Sequence, residues 1–177
     1  MIDLLLDTAV GPSPDLREVP GGWRERLDRW AREIRSVFRR HPWALAVIAD
    51  RRVMGPNEIA WFEAALAAVA PTGLPDRTVV DVVLLLNAYV RGAAQGSVAQ
   101  ARAERRTGVG ADAWAAANAK ILARVVDDDR YPVLAGILAA GALTPEDAAH
   151  EFEFGLTRVL DSIAALIDER ARLSGRG

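Results

Sequence analysis

Residues 23–42, WRERLDRWAREIRSVFRRHP, decide the fold class of this chain. Apolar side chains recur every three or four positions in this stretch, at Trp23, Leu27, Trp30, Ile34, Val37 and Phe38. This spacing puts them on one face of an α-helix and leaves the arginines and acids on the opposite face as a solvated, ion-paired surface. The helix should end near His41, because Pro42 disfavours helical geometry in the residue before it.

The rest of the chain continues in the same helical pattern. β-branched residues never alternate with polar ones over a full strand length, and alanine is abundant. The spacing predicts further helices over residues 2–10, 42–49, 56–70, 76–98, 112–127, 132–140 and 145–172, with a charged connection over 99–110. The expected fold class is therefore all-α.

Composition places the chain among globular proteins. It has 177 residues, 51% of them hydrophobic and 26% charged, with a net charge of −2 and no cysteine. A length of this order suits one domain, and the lack of cysteine excludes disulfides and thiolate zinc sites. The balanced charge argues against a dedicated nucleic-acid-binding domain, which usually carries a basic excess.

Targeting and membrane signals are missing from the sequence. Residues 2–10 contain two acids and no basic flank, unlike a signal peptide. The longest apolar stretch, between Val79 and Val90, is interrupted by Asp81 and is far shorter than the roughly 20 residues of a membrane span. We expect a cytoplasmic protein that does not contact a membrane.

The sequence also lacks the motifs of the common enzyme classes. It contains two histidines, no Gly-rich phosphate loop, no Gly-x-Ser-x-Gly and no His-Glu-x-x-His. The spacing of His150 from Asp147 is compatible with a metal, but a second such motif is missing. We therefore expect no enzyme activity, no metal and no cofactor.

Several short motifs occur in a recognisable order. They are the helix with its terminal His-Pro at 23–42, then Gly55-Pro56, Thr72-Gly73-Leu74, the segment NAYVRG at 87–92, and FEFGL with LDSI within 152–163. Together they resemble the C-terminal ligand-binding and dimerisation domain of TetR-family transcriptional repressors, in the branch of the tetracycline repressor. The resemblance extends over residues 3–167, nearly the whole chain.

The resemblance implies an organisation of the chain. We expect residues 1–10 to be the remnant of a helix that connects to an N-terminal helix-turn-helix domain, and we expect that domain to be missing from this chain. Residues 11–173 correspond to the ligand-binding and dimerisation domain, and 174–177 form a frayed tail. In this arrangement two long helices from each chain form a four-helix bundle, and DNA is reached only through the missing domain.

Large apolar residues on three helices are candidates for a ligand pocket. Such stripes usually form core, but five tryptophans in a small chain favour an aromatic pocket. The resemblance implies a pocket between the helices near 22–40, 56–70 and 76–98, and the polar Asn87 or Arg91 could orient a ligand or lie on a solvent-facing strip. The predicted ligand-binding residues are Trp30, Ile34, Phe38, Ile48, Met54, Trp61, Phe62, Asn87 and Arg91.

Two helices carry features expected of a homodimer interface. Residues 76–98 are apolar around most of the helix, and small residues in both helices would allow close approach. The predicted interface residues are Ala88, Gly92, Gly96, Phe152, Gly155, Leu156, Val159, Ile163 and Leu166.

These observations predict a regulatory domain of a TetR-family transcriptional regulator. It would bind a small, mostly apolar effector and form a homodimer, and the effector would control DNA binding in the full-length protein. Two alternatives remain open at this stage, a helical dimerisation module without ligand and a helical-bundle enzyme.

Overall fold

The computed structural model describes residues 2–49, 53–127, 129–142 and 148–175. All regular structure in these residues is helical, so the all-α prediction is confirmed. The helices are α1 (Ile2–Val10), α2 (Trp23–Arg40), α3 (Ala44–Val47), α4 (Pro56–Val69), α5 (Asp76–Thr107), α6 (Ala111–Val125), α7 (Pro132–Ala139) and α8 (Ala148–Ser174), with short 3₁₀ turns at Leu16–Glu18 and Ala70–Thr72.

The two helices that carry the tryptophans begin in the same way. At the start of α2, the Glu25 carboxylate accepts a hydrogen bond from the Gly22 N–H at 2.8 Å. At the start of α4, the Glu58 carboxylate accepts one from the Gly55 N–H at 3.0 Å. Each acid satisfies a backbone donor that the helix leaves unpaired, and its charge lies near the positive end of the helix dipole. Backbone hydrogen bonds of this kind also lower the pKa of Glu25.

Residues 99–107 correct one sequence-based expectation. The predicted charged connection is helical as far as Thr107, because its alanines, arginines, glutamine and glutamate are strong helix formers. The helix ends at Gly108, which adopts a left-handed φ of 69° and donates its N–H to the Glu104 carbonyl at 2.8 Å. The predicted start of the last helix, Thr144 to Asp147, lies outside the described residues.

Backbone contacts divide the chain into two compact units. The first unit comprises residues 1–95 and 152–177, and the second comprises 96–151. The buried apolar side chains of the described residues all belong to the first unit, where α2, α4, α5 and α8 contribute most of them and α1 and α3 contribute a few. No helix in the described part of the chain combines the length and apolar character needed to cross a bilayer.

Candidate ligand cavity

A cavity of about 250 Å³ lies within the first unit. Side chains from α2, α4 and α5 form most of its wall, together with the end of α1 and the segments on either side of residues 50–52. The lining residues are Val10, Trp30, Ile34, Val37, Phe38, Ile48, Met54, Glu58, Trp61, Phe62, Asn87 and Arg91. The fold thus brings all nine predicted ligand-binding residues to one cavity, and their binding of a ligand stays a prediction.

Two tryptophans form a fixed wall of the cavity. The Trp30 indole Nε1–H donates to the Trp61 carbonyl at 2.8 Å, and the Trp61 Nε1–H donates to the Gly11 carbonyl at 3.0 Å. Both side chains are buried. Because the backbone satisfies each polar N–H, the rings offer the cavity flat apolar surface.

The polar lining consists of Asn87, Arg91 and Glu58. Asn87 and Arg91 are four residues apart on α5, which places them on the same face of the helix. The Arg91 Nε is buried and has no hydrogen-bond partner among the described residues. Glu58 is buried at the start of α4, where its carboxylate accepts the hydrogen bond from Gly55.

Helix α1 is bound to the start of α4 through Asp7. The buried Asp7 carboxylate accepts hydrogen bonds from the N–H groups of Asn57 at 2.8 Å and Glu58 at 3.1 Å, so α1 supplies the N-terminal cap of α4. The Asn57 side-chain amide donates in return to the Asp7 carbonyl at 3.0 Å. Any side chain at Gly55 would overlap the Asp7 side chain, so the contact needs glycine there. The position of α1 is therefore tied to a helix of the cavity wall.

Charged contacts hold α8 against α2 in the same unit. The Arg32 guanidinium donates to both Glu153 carboxylate oxygens at 2.5 and 2.7 Å, and Arg24 donates to Asp161 at 2.6 Å. The hydrogen bonds from Arg32 lower the pKa of Glu153. Arg35 lies 4.1 Å above the centre of the Phe152 ring, and its desolvation by burial lowers its pKa.

The tetracyclin repressor-like C-terminal domain family matches residues 14–167. The chain belongs to this family. It is 38% identical over 172 residues to the HTH-type transcriptional repressor DrrR1 of Streptomyces coeruleorubidus, covering 96% of this chain and 62% of that protein. It is 26% identical over 179 residues to the HTH-type transcriptional repressor Rv1353c of Mycobacterium tuberculosis, covering 99% of this chain and 65% of the relative. The chain thus spans less than two thirds of the length of these relatives.

Solved structures of TetR regulators share the fold. Apo ActR from Streptomyces coelicolor superposes with a TM-score of 0.76 at 23% identity, over 95% of this chain and 74% of ActR. The regulator SCO7222 from the same organism gives a TM-score of 0.72 at 21% identity, over 93% of this chain and 75% of that chain. DrrR1 is named a transcriptional repressor, in agreement with the prediction that the chain is not an enzyme.

Three of the predicted dimer-interface residues are buried within the single chain. Phe152, Leu156 and Ile163 are each only 1% exposed and pack in its own core, which leaves them little surface for a partner. The Tyr89 ring stacks on the Phe152 ring at 5.8 Å, and its hydroxyl donates to the Phe152 carbonyl at 2.8 Å. Gly155 serves the same packing, because a side chain there would overlap the Tyr89 hydroxyl.

The other predicted interface positions keep accessible surface. Ala88, Gly92 and Gly96 are exposed on α5, Leu166 is 37% exposed on α8, and Val159 is partly exposed. No neighbouring atom lies within 4 Å of a Cβ built at Gly92 or Gly96. Their contact with a partner stays a prediction.

Sequence reasoning missed three residues of the cavity. Val37 lies on the apolar stripe of α2 between Ile34 and Phe38, so the spacing alone could have included it. Val10 and Glu58 carry no such signal, since one closes the cavity from α1 and the other is a charged residue drawn inward by its capping role.

Proposed function

We propose that this chain is the ligand-sensing and dimerisation part of a TetR-type transcriptional regulator. The observation that carries the proposal is the cavity in which aromatic side chains from α2 and α4 face Asn87 and Arg91 of α5. Ligand sites have this composition, an apolar lining with a few polar groups that set orientation. Two further findings support it: DrrR1 is named a repressor, and ActR is described in complex with actinorhodin.

The contacts between α1 and α4 supply a route from the cavity to DNA. Trp61 lines the cavity and donates to the carbonyl of Gly11, just after α1, while Asp7 of α1 caps α4. A ligand that displaces α4 would therefore also displace α1. In the full regulator that the resemblance implies, α1 leads to the DNA-binding domain. The ligand can shift DNA binding only by as much as its affinities for the two conformations differ.

Tryptophan fluorescence tests ligand binding directly. Replacing Trp23, Trp43 and Trp114 by Phe leaves Trp30 and Trp61, which both line the cavity, as the only tryptophan reporters. This variant is titrated with a panel of small hydrophobic drugs and metabolites. We expect saturable quenching by at least one aromatic compound, and weaker affinity for it in Trp30→Ala or Trp61→Ala.

Two results would contradict ligand binding in this cavity. If no compound quenches the two tryptophans or raises the melting temperature, the chain is a dimerisation module without a ligand. If a compound binds with the same affinity after both alanine substitutions, the site lies outside this cavity.

We also propose that the chain forms a two-fold homodimer through α5 and α8. Leu84, Ala88, Gly92 and Gly96 follow one another at four-residue intervals on α5 and are all exposed, so they form one stripe. On α8, Phe154 and Leu166 are also exposed. A two-fold axis would pair these surfaces with their copies in a four-helix bundle.

Sedimentation equilibrium tests the dimer. We expect twice the chain mass of 19.1 kDa at micromolar concentration, and the single-chain mass for Leu84→Glu. Ile59→Glu on α4 is the matched control, since Ile59 is 52% exposed and Leu84 is 49% exposed. A single-chain mass for the unmodified protein at high concentration would refute the dimer.

A further inference from the structure

We infer that the ligand is a flat aromatic molecule bearing an anionic oxygen group, and that Arg91 binds this group. The inference rests on the proposed ligand-sensing function and names the ligand class that the cavity selects. It comes from the distribution of charge and hydrogen bonds along the cavity wall.

The Nε of Arg91 is buried and lacks the hydrogen-bond acceptor that a buried donor requires. This atom is shielded from solvent and has no hydrogen-bond partner, and the described residues offer the Arg91 side chain no ion pair. By contrast, Arg24 and Arg32 of the same unit pair with carboxylates of α8. A buried donor without an acceptor costs free energy, so a ligand oxygen at this position would be strongly favoured.

Glu58 is the other charged residue among the described residues of the cavity wall, and it is already engaged. Its carboxylate accepts the Gly55 N–H at the first turn of α4, where the helix dipole favours negative charge. The carboxylate therefore has a structural role at a helix terminus, whereas the Arg91 Nε has no hydrogen-bond partner among the described residues. The charge that a ligand must supply is negative.

The shape of the ligand follows from the aromatic wall. Trp30 and Trp61 use their N–H groups on backbone carbonyls and contribute apolar surface to the cavity, which Phe38 and Phe62 also line. Flat rings pack well against such surfaces. The volume of about 250 Å³ lies near the small end of ligand pockets, so the aromatic body is compact.

The planar guanidinium of Arg91 suits a carboxylate, sulfonate or enolate oxygen. Asn87, four residues earlier on α5, can donate to a neighbouring hydroxyl or keto oxygen or accept from one. A neutral analogue would bury the same rings but leave Arg91 without an acceptor. Sites built around a polar group reject analogues that lack it more strongly than they reject a change in apolar size.

A matched pair of fluorescent probes tests the inference on the full chain. The anionic probe is 8-anilino-1-naphthalenesulfonate, and N-phenyl-1-naphthylamine has the same rings without the sulfonate. Both are titrated against the variant that retains only Trp30 and Trp61. Energy transfer from these tryptophans reports binding to the chain, and weaker binding after Phe62→Ala assigns it to the cavity that Phe62 lines. We expect the sulfonate to bind at least about tenfold more tightly than the neutral probe.

Variants of arginine residues separate charge recognition from folding. Arg91→Gln should raise the Kd of the sulfonate about tenfold or more and change that of the neutral probe less than about threefold. Arg91→Lys should restore part of the preference. Arg26→Gln is the control, because the Arg26 Nε is likewise buried without a partner but Arg26 borders a different surface pocket. Circular dichroism checks that every variant is folded.

Each outcome distinguishes this inference from the proposed function. If both probes bind in the cavity and Arg91→Gln leaves the ratio of their Kd values unchanged, the anion inference is wrong and ligand sensing stands. An equal effect of Arg26→Gln would also overturn the inference. If neither probe binds and no compound in the panel does, ligand sensing itself fails. If Arg91→Gln unfolds, the inference is tested by Arg91→Lys and by the ratio of the two probe Kd values for the protein that retains Arg91.

Discussion

The two compact units differ in how far their apolar side chains are buried. In residues 1–95 with 152–177, large side chains such as Leu27, Leu86 and Phe152 are completely or almost completely buried. In the described residues of 96–151, no side chain is classed as buried. Large apolar side chains of this second unit are instead exposed: Val109, Trp114, Ile121, Val125, Tyr131, Val133 and Ile137.

The difference indicates where the stability of the chain resides. Burial of apolar surface supplies most of the favourable free energy of folding, at about 25 cal/mol per Å². The first unit has such a core, and the ligand cavity lies inside it. In the second unit, α6 is rich in alanine, so local helix propensity contributes more than packing. Isolated helices of this length are marginal in water, so the second unit should be the weaker one.

Replacing one large aromatic residue in each unit should give the largest contrast. Phe152→Ala removes a ring packed between Tyr89 and Arg35, and we expect a loss of about 3–5 kcal/mol in the free energy of unfolding. Trp114→Ala removes a ring that is 62% exposed, and we expect a change within about 0.5 kcal/mol. Urea denaturation followed by circular dichroism measures both. A large effect at Trp114 would show that a partner covers α6.

Amide hydrogen exchange should separate the units without mutation. Amides in the interior of α2 and α4 should exchange at least about a hundredfold more slowly than those of α6 and α7, because local opening needs less energy where no core is lost. Exchange is followed by mass spectrometry of peptides from each helix. Equal protection of α6 and α4 would contradict the comparison.

Two helical glycines offer a smaller but cleaner contrast. Gly155→Ala places a methyl group against the Tyr89 hydroxyl, and we expect a loss of about 1–3 kcal/mol. Gly136→Ala in α7 meets no atom within 4 Å, so the gain in helix propensity should stabilise by up to about 1 kcal/mol. Thermal unfolding of both variants tests the signs. Destabilisation by Gly136→Ala would contradict the open space around this position and would show that other atoms pack against α7 there.

The ion pair between Arg32 and Glu153 should give the smallest effect. Arg32 lowers the pKa of Glu153 below its ordinary value of 4.5. The Glu153 carboxylate therefore stabilises the fold fully at pH values above 4.5, and this stabilisation is lost as the pH falls through the folded-state pKa. The carboxylate is partly exposed, so Glu153→Gln should cost less than about 1 kcal/mol at neutral pH and nothing at low pH. Glu104→Gln in the second unit is the control, and unfolding at pH 3 and pH 7 measures the difference. An unchanged cost at pH 3 would exclude the ion pair as its source.

The sequence predicted the helices well, but it did not predict which residues pack against each helix face. The stripe on α2 identified Trp30, Ile34 and Phe38 as neighbours, because one turn of helix fixes which residues share a face. The same reasoning grouped Phe152, Leu156 and Ile163 correctly on one face of α8. It assigned that face to a second chain, although Tyr89 and Arg35 of the same chain cover Phe152.

The cavity shows the same division. Nine of its residues could be proposed from aromatic stripes, the two polar residues of α5 and the family resemblance, and the fold places them together. Glu58 was missed, because sequence spacing does not reveal that Asp7 and Gly55 hold the start of α4 at the cavity.

The sequence by itself therefore determined the fold class, most helix boundaries and the faces that each helix offers. These follow from periodicity, prolines and glycines, which act within a few residues along the chain. Only the tertiary structure decided which face is core, which lines the cavity and which stays exposed. Those outcomes depend on contacts between residues far apart in sequence, such as Asp7 with Asn57 and Tyr89 with Phe152. The spacing of apolar residues along one helix does not predict such contacts.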